Sequence, residues 1–313
     1  MDDPRQSLPS VAAMLERPAV VALIETHPRP IVVDAVRDAL ARFRATLDDN
    51  TAPPTADELA AAVQEAVAAV ELDRLRPVVN ASGVLLHTGL GRAVLPPAAA
   101  QALAHADRCC NLQIDLATGR RGKRNYTSEE LLCRLTGAEA AVVVNNNAAA
   151  TLLILSALCS GREVVVSRGQ LIEIGGSYRL PDCVHQSGSI LVEVGTTNKT
   201  HPRDYENAIT EHTAALMRVN PSNYRVVGFA KEVPVAELVS LKQRHDVLII
   251  DDLGCGALLD LTPYGLPHEP TAPESIAAGA DLVCFSGDKL IGGPQAGIII
   301  GRAELVQRIR RHP

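Results

Sequence analysis

From Pro77 to the end of the chain, short runs of β-branched and aliphatic residues alternate with Ala- and Leu-rich stretches of helical period. Residues 140–144, 163–167, 189–194, 215–219, 247–251, 281–286 and 297–301 carry the apolar runs expected of buried strands. Residues 128–136, 148–159, 202–210, 234–245 and 302–311 between them read as helices. The first of these opens on Thr127-x-x-Glu130, a capping-box pattern, and stops at Gly137. Such alternation predicts an α/β domain over 76–313, a mainly parallel sheet covered on both faces by helices. Ligands in such a sheet gather beyond the carboxyl ends of the strands. Before Pro77 the period is helical throughout. Residues 8–48 predict two or three short amphipathic helices, one from Ile31 to Leu47 with Val32, Val36, Leu40, Phe43 and Leu47 on one face. The polar, proline-paired "DDNTAPPTADE" then leads into a helix from Ala56 to Leu75, so 1–75 reads as a small all-helical N-terminal domain.

Composition narrows the classes. The 313 residues are 47% hydrophobic, enough for a sizeable core. Aromatics are 3% and Trp is absent, so that core must be packed from Ala, Val, Leu and Ile. A net charge of −6 gives no global attraction to nucleic acid, and such a partner would need a local basic patch. The seven cysteines are odd in number and contain no CxxC pair or zinc spacing, which predicts reduced thiols, no metal site and a cytosolic protein. No apolar run reaches the ~18 residues of a membrane span, and the acidic N-terminus is no targeting signal.

Three strand ends carry candidate chemistry. Asn145, Asn146 and Asn147 follow the strand at 140–144 and open a helix, either as a phosphate cradle or through ordinary N-capping by one of them. Asp251 and Asp252 stand at the carboxyl end of the strand at 247–251 in "DDLGCG", where they could bind a metal, cap a helix or pair with a buried cation; Cys255 reads as packing, since no neighbouring base activates it. The strand at 281–286 runs into "GDKLIGGPQAG", where glycines give Lys289 room beside Ser286. A lysine in a tight, partly desolvated loop has a lowered pKa on expectation, which makes Lys289 a candidate Schiff-base amine beside the alternatives of a solvated loop charge and a phosphate clamp. The segment lacks the Walker A spacing, and "TGLGRAV" does not complete a dinucleotide fingerprint. Pyridoxal phosphate needs an anion cradle, a carboxylate for its pyridine nitrogen and an amine for its aldehyde. These residues place a pyridoxal phosphate enzyme ahead of an anion-binding α/β protein.

The segments "VVNASGVLLHTGLGRA", "GAEAAVVVNNNAAA", "VVVSRGQLIEIGGSYRLPD", "VGTTNKTHPRDY", "DLGCGALLDLTPYGLPHEP" and "FSGDKLIGGPQAGIIIG" together resemble the bacterial L-seryl-tRNA(Sec) selenium transferase (selenocysteine synthase) family, densely over 76–313 and more loosely at "SLPSVAAMLERP". The resemblance implies a fold type I (aspartate-aminotransferase-like) pyridoxal phosphate enzyme with Lys289 as cofactor lysine and Asp252, rather than Asp251, at the pyridine nitrogen. Asn145 to Asn147 and Ser286 match the phosphate region, and Arg168, Ser222 and Asn223 resemble positions lining the cofactor. Arg92 resembles an arginine that binds the selenium donor; Arg121 and Arg124 match further active-site cations or a solvated loop. Asp288 would assist hydroxyl departure, orient Lys289, or simply make a turn.

The implied reaction converts L-seryl-tRNA(Sec) to selenocysteinyl-tRNA(Sec) with selenophosphate, through a dehydroalanyl-tRNA intermediate. The helical N-terminal domain would read the tRNA through a face such as Arg37, Arg42 and Arg44. A cytoplasmic homo-oligomer is implied, a ring of dimers with active sites at dimer interfaces. Family members also carry a C-terminal small domain and arginines beyond the equivalent of Pro313, which makes this chain, on expectation, a fragment or an incomplete gene product whose activity as it stands is in doubt. The alternatives are a related lyase acting on a small amino acid or sugar-acid phosphate, and an inactive truncated tRNA-binding remnant.

Overall fold

The computed structural model describes residues 7–47, 52–71, 75, 77–122, 126–176 and 178–313. The chain divides into two compact units, Met1–Val79 and Asn80–Pro313.

The first unit is helical: α1 (Val11–Leu15), α2 (Pro18–Thr26), α3 (Arg29–Thr46) and α4 (Ala56–Glu71). Ser10 caps α1 by accepting from the Ala13 N–H, and prolines open α2 and α3, where a missing N–H is harmless. Val32, Val36 and Leu40 of α3 face Leu59, Val63 and Val67 of α4, with Met14 and Val20 completing a buried cluster. The four-residue spacing on both helices makes each apolar row a continuous stripe. α4 is described to Glu71; residues 72–74 of the helix expected to reach Leu75 lie outside the described residues, and Leu75 is not helical.

The second unit is a seven-stranded sheet between helices. In chain order its elements are α5 (Pro97–Ala104), α6 (Tyr126–Thr136), β1 (Ala140–Val144), α7 (Asn147–Cys159), β2 (Glu163–Ser167), the two-residue strands β3 (Glu173–Ile174) and β4 (Tyr178–Arg179), and α8 (Leu180–Gln186). Then follow β5 (Ile190–Val194), α9 (Pro202–Glu206), β6 (Thr213–Val219), α10 (Val235–Lys242), β7 (Leu248–Gly254), α11 (Ala272–Ala277), β8 (Leu282–Ser286), β9 (Gly297–Gly301) and α12 (Ala303–Arg310). Strand order is β1-β9-β8-β7-β6-β2-β5, and β3 pairs with β4 in a separate antiparallel hairpin.

The five strands from β8 to β5 are mutually parallel, while β9 runs antiparallel to both β8 and β1. The physical reason is the connection. Residues 287–296 are too few for a crossover, so the chain turns straight back as a hairpin, and Lys289 sits in that turn. Alternation along each strand sends residues to two separate cores. Ile250, Leu282, Cys284 and Ile299 pack with Ile154 and Leu155 of α7 and Val306 of α12. Ile249, Val283, Phe285 and Ile300 pack with Leu132 of α6, Leu238 of α10 and Ala272 of α11.

The short α8 and α11 and the helix α5 have too few apolar repeats to stand out in sequence. Thr127 lies within α6 instead of preceding it, so the expected capping-box register is displaced; Gly137 ends α6 at φ 75° as the pattern implied. α9 stops at Glu206, shorter than the expected 202–210.

Candidate active site

The carboxyl ends of β1, β6, β7 and β8 meet the start of β9 around a cavity of about 250 Å³. Asn147, Asp252, Ser286 and Lys289 all line it.

The adjacent aspartates of β7 point to opposite faces, as neighbours in a strand must. Asp251, fully buried, is held by Arg218 Nη1 at 2.8 Å and the Ser275 hydroxyl at 2.5 Å. Asp252 turns toward α7, where Oδ1 accepts from Asn147 Nδ2 at 2.7 Å and from the Gly254 N–H at 3.0 Å, and Oδ2 accepts from the Thr151 hydroxyl at 3.0 Å. Burial pushes the Asp252 carboxyl above the usual carboxylate range, against the lowering effect of those three donors. Asp251 therefore answers to a structural pairing, and Asp252 is the carboxylate at the cavity.

The three asparagines divide their work. Asn146 is the N-cap of α7, its side chain accepting from the Ala149 N–H at 2.8 Å. Asn147 donates to Asp252, and its Oδ1 is buried with no partner among the described residues. Asn145 is exposed and does not line the cavity. What remains of the expected anion cradle is the backbone: the first N–H groups of α7, on Asn147 and Ala148, have no partner within the helix and stand at its positive end. Gly297 lets β9 approach this turn, since a Cβ there would lie 2.0 Å from the Asn146 carbonyl oxygen.

Lys289 is half-buried, and its amine makes no hydrogen bond or ion pair among the described residues. Its charge lowers the nearby Cys255 thiol, which burial more strongly raises. Asp288 is engaged by Arg92, Nη1 to Oδ2 at 2.6 Å, while the Ala93 N–H donates to the Asp288 carbonyl at 3.3 Å. Arg92 takes a left-handed φ of 64°, uncommon outside glycine. The segment 87–93 is thus fastened to the lysine loop.

Other expected residues lie elsewhere. Arg168 bonds the Gly195 carbonyl and pairs with Glu193 at 3.4 Å, beside a second depression and away from Lys289. Asn223 donates to the Glu173 carbonyl at 3.2 Å. Ser222 stands behind Gly254, 3.2 Å from where a Cβ would be. Arg121 is exposed in an isolated bridge with Ile114, outside the cavity. Arg124 lies outside the described residues. Conversely, Tyr178, Asn220 and Gln295 line the cavity without having been singled out. Asn220 sits two residues before Ser222, and Tyr178 comes from the β3–β4 hairpin, whose two-residue strands carry no periodic signal. Burial and the Asp252 charge hold the Tyr178 phenol above its ordinary range.

These residues fit pyridoxal phosphate: free N–H groups and Ser286 for the phosphate, Asp252 for the pyridine nitrogen, and Lys289 for the aldehyde. Asn147 Oδ1, buried and without a partner among the described residues, is a further polar atom of the same cavity. Among the described residues no acidic, cysteine or histidine cluster could hold a metal, and no helix is long and apolar enough to cross a membrane.

Comparison with known proteins agrees. A solved structure of D-glucosaminate-6-phosphate ammonia-lyase superposes with a TM-score of 0.57 and 25% identity, covering 71% of this chain and 58% of that one. The L-seryl-tRNA(Sec) selenium transferase of Nitratidesulfovibrio vulgaris is 51% identical over 98% of this chain and 68% of its own length. That of Caldanaerobacter subterraneus is 46% identical over 100% of this chain and 68% of its own. That of Rhizobium meliloti is 49% identical, with 98% and 66% covered. The chain thus spans about two thirds of the length of these relatives. The sequence profile described as selenocysteine synthase N terminal matches residues 5–44. With the profile of L-seryl-tRNA selenium transferase matching residues 78–313, the chain belongs to the L-seryl-tRNA selenium transferase family, whose cofactor is pyridoxal phosphate.

Proposed function

We propose that this chain carries the cofactor site of an enzyme converting L-seryl-tRNA(Sec) to selenocysteinyl-tRNA(Sec) with selenophosphate as donor. The carrying observation is the meeting of Lys289 and the buried Asp252 in one cavity of a chain about half identical to proteins of that name. Bound pyridoxal phosphate supplies an electron sink for the α-carbon of the seryl group. Asp252 would keep the pyridine nitrogen protonated. Lys289 would hold the cofactor through its Nζ, and the same amine is placed to take the α-proton. Arg92 and Asp288, at 2.6 Å, act as a pair at the cavity wall: Asp288 orients the lysine loop and Arg92 presents its remaining N–H donors to the donor's anion. The experiment is transfer of radioselenium from selenophosphate to seryl-tRNA(Sec), with Lys289→Ala as control; no transfer by the parent chain while it holds cofactor at Lys289 overturns the reading.

The likeness to the ammonia-lyase favours a second reading, elimination on a sugar-acid phosphate. Release of ammonia from such a compound, with no transfer to tRNA, selects it.

The assembly is read as homo-oligomeric. Leu85, Val94 and Leu116 are 75%, 90% and 79% exposed, and a second copy covering 84–116 would bury them. All seven cysteines are free thiols, which supports a cytoplasmic setting. In the helical unit Arg44 is exposed, whereas Arg37 pairs with Asp34 at 3.0 Å and Arg42 donates to the Ala62 carbonyl at 3.3 Å. A tRNA-reading face there would rest on Arg44 and whatever Arg37 can release.

A further inference from the structure

α7 grips Asp252 with two side chains one turn apart. Asn147 Nδ2 reaches Oδ1 at 2.7 Å, and the Thr151 hydroxyl reaches Oδ2 at 3.0 Å. Residues four apart share a helix face, so both donors meet the same strand end. The rest of the buried set of α7 is apolar: Ala150, Ile154, Leu155, Leu158 and Cys159. A β-branched residue gains nothing there from helix propensity, and burying its oxygen without a partner would be costly. Thr151 is 1% exposed, so its hydroxyl must find its partner inside the protein.

That hydroxyl has one hydrogen and two oxygen acceptors within reach, Asp252 Oδ2 and the Asn147 carbonyl at 3.1 Å. The carbonyl already receives the Thr151 N–H through the helix ladder, and an ionised carboxylate is the stronger acceptor. The Cys284 sulfur on β8, at 3.8 Å, is a weak one. The hydrogen therefore belongs to Asp252 whenever that group is charged.

Acceptor accounting then separates the two carboxylate oxygens. Each has about two lone-pair positions. On Oδ1 both are filled, by Asn147 and by the Gly254 N–H at 3.0 Å. On Oδ2 Thr151 fills one, and the other has no donor among the described residues. Asp252 lines the lysine cavity, so this open position is the one left for a ligand's N–H.

We infer that Thr151 is a positioning residue for the cofactor: its hydroxyl fixes Asp252 so that the open side of Oδ2 meets the pyridine nitrogen. The other titratable groups close to Asp252 are Tyr178 of β4, Cys183 of α8, Cys284 of β8 and Cys255 just after β7. Burial pushes all four up, which keeps them neutral while Asp252 titrates. Asp251 is turned away to Arg218 and Ser275, while Arg92, Asp288 and Lys289 stand on the cavity side. The inference rests on the cavity being the cofactor site and not on the tRNA substrate.

The test replaces Thr151 in the full chain by Val, which keeps the shape and removes the donor, and by Ser, which keeps the donor. Two ligands are titrated into each preparation: pyridoxal phosphate and its 1-deaza analogue, which has carbon in place of the ring nitrogen. Thr151→Val should weaken pyridoxal phosphate binding about ten-fold, leave the analogue unchanged, and Thr151→Ser should restore the parent value. In the cofactor-free chain the Asp252 carboxyl, followed by its carbon chemical shift against pH, should titrate higher in Thr151→Val than in the parent, because a donor that favours the charged form is gone. Should the Val variant fail to fold, Thr151→Ala gives the same ratio of affinities. Both ligands weakened alike, or a ratio and titration that do not move, overturn the inference and leave Thr151 as packing. Failure of the functional reading looks different: selenium transfer is then absent while the ratio still responds to Thr151.

Discussion

Asn147, the first residue of α7, donates its side-chain amide to Asp252 Oδ1 at 2.7 Å across 105 residues of sequence. That bond joins the helix turn expected to hold an anion to the carboxylate expected to hold a pyridinium. It also leaves Asp252 buried with three donors and no ion pair among the described residues.

Replacing Asp252 by Asn should keep the shape of the site and remove its charge. Selenium transfer is expected to fall by about two to three orders of magnitude, the usual loss for one preorganised electrostatic partner. The cofactor-free chain should show a pH signature as well. Because burial raises the Asp252 pKa in the folded state, its contribution to stability is fully present below the unfolded value of about 3.9 and is lost as pH rises through the folded value. Thermal unfolding across pH should therefore show the D252N midpoint gaining on the parent's as pH rises above about 4. A gap that stays constant or shrinks contradicts this.

Lys289→Ala should abolish the violet-absorbing, borohydride-reducible Schiff base. The side chain is half-buried and without a partner, so stability should change by no more than about 0.5 kcal/mol. Absorption spectra and denaturant titration of the same preparation separate loss of chemistry from loss of fold.

Arg92 and Asp288 should behave as a unit. The Asp288 side chain is 12% exposed and that of Arg92 33%, so each single change leaves a poorly solvated partner. A double-mutant cycle with Arg92→Ala and Asp288→Asn should give a coupling of about 0.5 to 3 kcal/mol in transfer rate. Additive effects would show that the two act separately.

Gly297→Ala should damage the cradle from outside it. The added methyl would lie 2.0 Å from the Asn146 oxygen and 2.4 Å from its carbonyl carbon, contacts that backbone must shift to relieve. Destabilisation of about 1 to 3 kcal/mol is expected, with weaker cofactor retention on dialysis. Unchanged retention would mean that the Asn146 turn does not contribute to phosphate binding.

Much of the frame was legible along the chain. The runs at 140–144, 163–167 and 297–301 are β1, β2 and β9 to the residue, because fully buried strands are continuous apolar blocks bounded by polar turns. Lys289 and Asp252 stood out because strand-end loops are short and rich in chemistry. The motif resemblance, not spacing, chose Asp252 over Asp251, and the structure supplies the reason: alternation turns Asp251 to Arg218 and Ser275 on the far face. Arg168 illustrates the opposite case. It follows a strand end, yet which strand ends are neighbours depends on sheet order, and β2 lies three places from β8.

The sequence by itself determined the alternation of strands and helices, the helical first unit and the lysine of the site, since these are read from local period, turn residues and motif. Tertiary structure alone decided that β9 runs backward, that Asn147 serves Asp252, that Arg92 meets Asp288, and that Tyr178 and Asn220 face the cofactor cavity. Those are contacts between residues up to 196 positions apart, set by strand order and by which side of the sheet each side chain faces, and no local pattern encodes either.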